Sequence, residues 1–150
     1  MPLLTIDQVN QIAVDEMQHT HEEEIGMLNE IDALASRYEN DKGVRKALEE
    51  RLDAYVTHVE EHFTNEEQLM RQYGFPPYQI HKAEHDNVLR ELNGVVIRWK
   101  EHGDIDAIIA YLRQSVEWII NHINTMDTMT AMFISQQGKA GDRADRICSL

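Results

Sequence analysis

Eight histidines stand among 27 acidic residues in a chain of 150, and several keep the spacing that metal chelation needs. His62 and Glu66 are four residues apart, as are His81 and His85. On a helix that separation puts two side chains on one face, about 40° and ~6 Å apart, so each pair can grip one ion. His122 and Asp127 are five apart, about 140° around a regular helix, so this carboxylate is expected to point sideways and bridge toward a second ion. His21 offers a further imidazole. Five neutral imidazoles and two carboxylates exceed one tetrahedral zinc and are too rich in nitrogen for calcium or magnesium. Two iron ions bridged by Glu66 and Asp127 fit best, and manganese or a mixed pair is also compatible with these ligands.

Long elements have to hold such ligands. Helical patterning breaks only at Asn40-Asp41-Lys42-Gly43, Tyr73-Gly74-Phe75-Pro76-Pro77, His102-Gly103-Asp104 and Gln137-Gly138. Four helices follow: A over 6–38, B over 44–72, C over 77–101 and D over 105–136. Alternate spacing of three and four picks out their inner stripes. Helix A gives Ala13, Met17, His21, Leu28, Ile31 and Ala35. Helix B gives Leu48, Leu52, Tyr55, Val59, His62, Glu66 and Leu69. Helix C gives Tyr78, His81, His85, Val88, Leu92, Val95 and Trp99, and helix D gives Ile108, Leu112, Ser115, Ile119, His122, Met126, Met129 and Phe133. Each stripe has a histidine where a core takes an aliphatic residue. One such histidine is ordinary; several in one layer with a carboxylate cost several kcal/mol unless a cation pairs them. The fold class is all-α, an antiparallel up-down-up-down four-helix bundle with a di-metal site in its core. The chain reads as one domain over 1–150, with the bundle over 6–136 and a tail over 138–150.

Composition narrows the partners. The net charge is −13 and the apolar share 42%, and Lys and Arg are scattered rather than striped, which argues against nucleic acid and anionic membrane. No apolar run approaches a membrane span, and Met1 to Ile6 lack a signal-peptide pattern, so a cytoplasmic address is expected. The single cysteine, Cys148, reads as an incidental tail thiol.

The ordered motifs resemble the hemerythrin family. Helix B reads His62-Phe63-Thr64-Asn65-Glu66-Glu67-Gln68-Leu69-Met70, similar to that family's H-F-x-x-E-E-x-x-M. His81-Lys82-Ala83-Glu84-His85 is similar to H-x-x-x-H, and the run from Trp118 through His122-Ile123 to Asp127 to W-x-x-x-H-I-x-x-x-D. The Tyr-Gly-Phe-Pro turn also belongs to the pattern, and the resemblance covers about residues 15–135. It implies a pair of iron ions, oxo- or hydroxo-bridged, with dioxygen as ligand. Carried over position by position, it implies His21, His62, Glu66, His81, His85, His122 and Asp127 as ligands. His81, His85 and His122 would hold one iron, and His21 and His62 the other, which keeps an open position for dioxygen. A dry wall would come from Trp118, Ile119, Ile25, Leu28 and Phe63. The alternative carboxylate-rich di-iron bundles use paired Glu-x-x-His motifs, which these helices do not match.

Two departures from the family pattern matter. The tryptophan-bearing N-terminal arm is missing before His21, which is preferred to His19 because Ile25, Leu28 and Asn29 follow it at the family's offsets. His19 lies about 200° away around the helix from that ligand face. Glu24 stands where the pattern has a large apolar residue, and the favoured reading swings it out beside Glu22 and Glu23. Turned inward, it would be an extra ligand or proton relay at the open iron and would favour an enzyme, such as a di-iron peroxidase, oxidase or nitric-oxide-handling protein. His58 reads as a surface or supporting residue and His102 as a helix-terminal cation. The expected function is dioxygen storage, delivery or sensing by a monomer, with any signalling left to a separate protein partner. A metal-storage bundle is the remaining alternative.

Overall fold

A computed structural model describes residues 2–38 and 40–148, with side chains described from Pro2 to Gly138 apart from residue 39. Helix α1 spans Asp15–Tyr38, α2 Arg45–Tyr73, α3 Tyr78–His102, α4 Ile105–His122 and α5 Thr128–Cys148. A π-helical turn over Ile123–Asp127 joins α4 to α5, so these two form one continuous rod. The four rods pack in a ring, α1 on α2, α2 on α3, α3 on α4 and α4 back on α1. Consecutive neighbours joined by short loops run antiparallel.

Local chemistry sets the helix ends. Gly74 and Gly103 take left-handed backbone, with φ of 67° and 62°, and close α2 and α3 where a Cβ would be strained. Pro77 precedes α3, and the Asp104 carboxylate accepts from the Ala107 amide at 3.0 Å to start α4. Asp15 and Glu16 sit in the first turn of α1, where the helix dipole favours anions.

Three readings change, two of them boundaries. Helix A, read over 6–38 with Ala13 on its inner stripe, is shorter: α1 begins at Asp15 and Ala13 is exposed. Residues before it form an arm with a short 3-10 turn at Ile6–Gln8. The arm buries Leu4, Val9 and Ile12 against the bundle, and Asn29 clamps Leu4 by accepting from its amide and donating to its carbonyl. Gln18 accepts from the Ile12 amide, satisfying backbone that a helix would otherwise have paired. The arm thus exists without a tryptophan. At the other end, α5 runs on through Gly138 to Cys148, because a glycine inside a helix costs only about 1 kcal/mol. The side chains beyond Gly138, Cys148 among them, lie outside the described residues.

The third change is rotational. The π turn inserts one extra residue, which turns the following stripe by about 100°. Asp127, Thr130, Ala131 and Ile134 are buried instead of the expected Met126, Met129 and Phe133, and Met129 is 62% exposed. Elsewhere the stripes hold with one-residue adjustments, Met70 for Leu69 and Val96 for Val95.

The core has two parts. Tyr38, Leu48, Leu52, Trp99, Ile108 and Leu112 fill one end with apolar side chains, each full burial contributing about 1.5–3 kcal/mol. Further along the same helices the packing turns polar.

Candidate metal centre

The polar layer draws on every rod. His21 comes from α1, His62 and Glu66 from α2, His81 and His85 from α3, His122 from the end of α4 and Asp127 from the π turn. All seven are buried, and none is more than 8% exposed. The four-residue spacings work as a regular helix requires. The five-residue spacing works because it is not regular: a π turn closes i to i+5 bonds, which stacks Asp127 over His122 instead of turning it away. Their side chains meet at 3.0 Å, a correction to the sideways bridge expected from α-helical geometry. Thr125 and Thr128 donate hydroxyl hydrogen bonds to the Asn121 and Ile123 carbonyls at 2.6 Å, taking up acceptors in the widened turn.

Two overlapping groups of ligand atoms result, each lying within 4.8 Å of one another. Glu66, His81, His85, His122 and Asp127 make one; His21, His62, Glu66 and Asp127 make the other. Only the two carboxylates are shared. Glu66 turns Oε2 to His62 Nε2 at 3.0 Å and Oε1 to His81 and His85 Nε2 at 2.8 and 3.5 Å. Asp127 turns Oδ2 to His21 Nε2 at 2.9 Å and Oδ1 to His81 and His122 Nε2 at 3.1 and 3.0 Å. Each carboxylate therefore divides its oxygens between two sets of imidazoles, as a bridging ligand does.

The outer ring nitrogens are held apart from this layer. His81 Nδ1 lies 2.9 Å from the Thr130 hydroxyl, His85 Nδ1 3.2 Å from Glu67 and His122 Nδ1 3.1 Å from Glu84. A proton kept on Nδ1 leaves the Nε2 lone pair facing inward, the tautomer a metal ligand needs. Sequence reasoning missed Glu67, Glu84 and Thr130. The demand for such partners was predictable from the ligand histidines, but their positions depend on helix rotation, and Thr130 enters only through the π turn.

Electrostatics show how strongly the layer attracts positive charge. Burial and the Asp127 charge push the Glu66 carboxyl up, yet the close imidazoles of His62, His81 and His85 hold it down at about 2. Asp127 is likewise penalised by burial but held well below its usual range by His122, His21 and His81. Burial alone would lower His81, whereas Asp127 and Glu66 raise it to about 9. His122 is raised in the same way, and His62 is raised against its own burial by Glu24 and Glu66. These carboxylates hold protons on the imidazoles that a metal ion would displace.

The donor set fits a pair of cations. Glu66 Oε1, Asp127 Oδ1 and His85 Nε2 are buried without a hydrogen-bond partner, an arrangement that costs free energy unless another charge occupies their midst. Nitrogen-rich, mixed N/O ligands sharing two carboxylates suit iron.

The described residues 12–133 match the family described as Hemerythrin HHE cation binding domain. The chain belongs to the hemerythrin family. It is 34% identical over 131 residues to a bacteriohemerythrin of Aquifex aeolicus, covering 86% of this chain and 95% of that one. A bacteriohemerythrin of Ralstonia nicotianae is 37% identical over 87 residues, 58% of this chain and 63% of its own length. A crystal structure of a hemerythrin point mutant superposes with a TM-score of 0.76 at 24% identity, over 90% of this chain and 99% of that one. That likeness is one of fold.

Other hemerythrin-pattern positions fall around the layer. Phe63 stacks on His85 with ring centroids 3.9 Å apart, and Trp118 on His122 at 4.5 Å. Ile25, Leu28 and Ile119 are buried in the adjoining core. His19 is exposed and pairs with Glu23 at 2.8 Å. Glu24, expected to swing outward, is turned in: its Oε2 lies 2.8 Å from His62 Nδ1, with its side chain only 12% exposed. A cavity of about 20 Å³ between α1 and α2 reaches His62 and Glu66, lined by Glu16, Met17, Thr20, Asn65 and Leu69.

Proposed function

We propose that this protein binds dioxygen reversibly at two iron ions. His81, His85 and His122 would hold one ion and His21 and His62 the other, with Glu66 and Asp127 as the carboxylates common to both sets. When bound, the reduced iron pair supplies electrons and an open coordination position for dioxygen.

The observation that carries this reading is the division of carboxylate oxygens between a three-histidine and a two-histidine set. The two-histidine set has fewer donors, and the cavity beside His62 and Glu66 opens there. At about 20 Å³ it has room for one water-sized ligand, the scale of a diatomic gas. Phe63 and Trp118 cover ligand rings with apolar faces, which restricts water and protons near the ions.

The enzymatic reading rested on Glu24 at the open position. Its carboxylate meets Nδ1 of His62, whereas Glu66 meets Nε2, so it stands on the far side of the ring from the ions. Glu16 lines the cavity but is exposed to solvent, and binding is the better supported task. Among the described residues no helix is long and apolar enough to cross a membrane. Within this proposal the protein works as a cytoplasmic monomer organised as one domain.

Anaerobic titration with ferrous iron, followed by measured dioxygen uptake, tests the proposal. It predicts two irons per chain and one dioxygen per iron pair. Replacing His62 by Ala should weaken one ion and abolish uptake, while His85→Ala should weaken the other. A chain that holds two irons yet takes up no dioxygen would refute the function while sparing the site.

A further inference from the structure

Glu24 has a role that the seven-ligand assignment does not include. It follows His21 by three residues on α1, and its neighbours Glu22 and Glu23 are exposed while its own side chain is mostly covered. Tyr55 and Tyr111 feel its charge, which with burial pushes both phenols upward. Ring nitrogens of His58 and His62 lie within 4.8 Å of its carboxylate and of one another.

The outer partners of the ligand histidines are distributed unevenly. Thr130, Glu67 and Glu84 all serve the three-histidine set. In the two-histidine set, His21 Nδ1 is buried without a partner. Glu24, at 2.8 Å from His62 Nδ1, is the one carboxylate that acts on this set from outside the layer among the described residues. His62 Nδ1, like that of His21, has no hydrogen-bond partner, so charge and distance carry its contact with Glu24.

We infer that Glu24 is the positioning residue of the two-histidine ion, holding the proton on His62 Nδ1 so that Nε2 faces the ion and supplying a negative charge behind that ligand. The inference rests on the ligand assignment proposed above. An apolar residue at this position would leave His62 free to turn or to protonate Nε2, and the ion would lose the electron-donating push of a carboxylate–imidazole pair. The effect is local to one ion of the two, which a merely structural role would not produce.

The test is competition for ferrous iron against a chelator under anaerobic conditions, applied to the wild type, Glu24→Gln and Glu24→Leu. Loss of an outer partner typically weakens metal affinity about 10–100-fold. Glu24→Leu should therefore bind one ion as tightly as the wild type and the second about 10–100-fold more weakly. Glu24→Gln keeps an acceptor oxygen without the charge and should fall between them. It is nearly isosteric, so it reports even if the leucine variant does not fold. Proton NMR of the loaded protein supplies a second readout, a moved His62 Nδ1–H resonance in Glu24→Gln. Equal affinity at both ions in all three proteins, or equal weakening at both, overturns the inference. A wild type that binds fewer than two ions overturns the ligand assignment instead, so the two failures are distinguishable.

Discussion

His81 shows what the polar layer does with charge when no metal is supplied. Folding raises it from an ordinary 6.5 to about 9, so its stabilising contribution is complete below pH 6.5 and fades as pH climbs through 9. Glu66 runs the other way: lowered from 4.5 to about 2, it stabilises above pH 4.5 and loses that contribution as pH falls through 2. Protein stripped of iron should therefore melt highest between about pH 4.5 and 6.5 and lose stability toward pH 9. Iron-loaded protein should keep its melting temperature across the alkaline part of that range, because the ions replace the protons. Thermal melts of both forms from pH 5 to 9 check this, and parallel profiles would contradict it. The seven side chains of the layer were readable from residue type and spacing, and they are buried together as a metal site would require. Glu24 was not: an acid next to two exposed acids gives no sign in sequence of which way it turns, and only the His62 ring beside it decides.

At the scale of elements, Asp127 depends on a feature that helical periodicity hides. A regular helix would carry it about 140° from His122, and the π turn over Ile123–Asp127 brings the two together. The helix ends at the three inner loops were legible to within a residue or two, because glycines, prolines and Asp104 mark where each stops or starts, whereas the start of helix A at residue 6 and the end of helix D at 136 were not. The π turn was not legible, since its residues satisfy an α-helical pattern equally well, and the expected stripe through Met126 and Met129 followed from that. Inserting one alanine after the exposed Thr125 should add a further residue to the turn and swing Asp127 by about 100° out of the layer. Helix content by circular dichroism should persist while iron binding falls to at most one ion. Two ions bound with wild-type affinity would show that the register set by the turn is dispensable.

Across the whole molecule, the bundle sustains a layer of seven buried polar side chains that in isolation opposes folding. The apolar end around Trp99, Leu48 and Leu112 supplies the packing that keeps the helices in register, and iron binding links the layer's cost to the folded state. Family membership explains why the order of the motifs was so informative: each helix contributes one recognisable fragment, and only the fold unites them. The most direct test is the visible spectrum of the reduced, iron-loaded protein before air, after air and after repeated evacuation. A charge-transfer band that appears with dioxygen and disappears under vacuum through several cycles is the predicted result. A protein that never develops the band, or passes irreversibly to its oxidised spectrum on the first exposure, would contradict reversible binding at an open two-histidine iron.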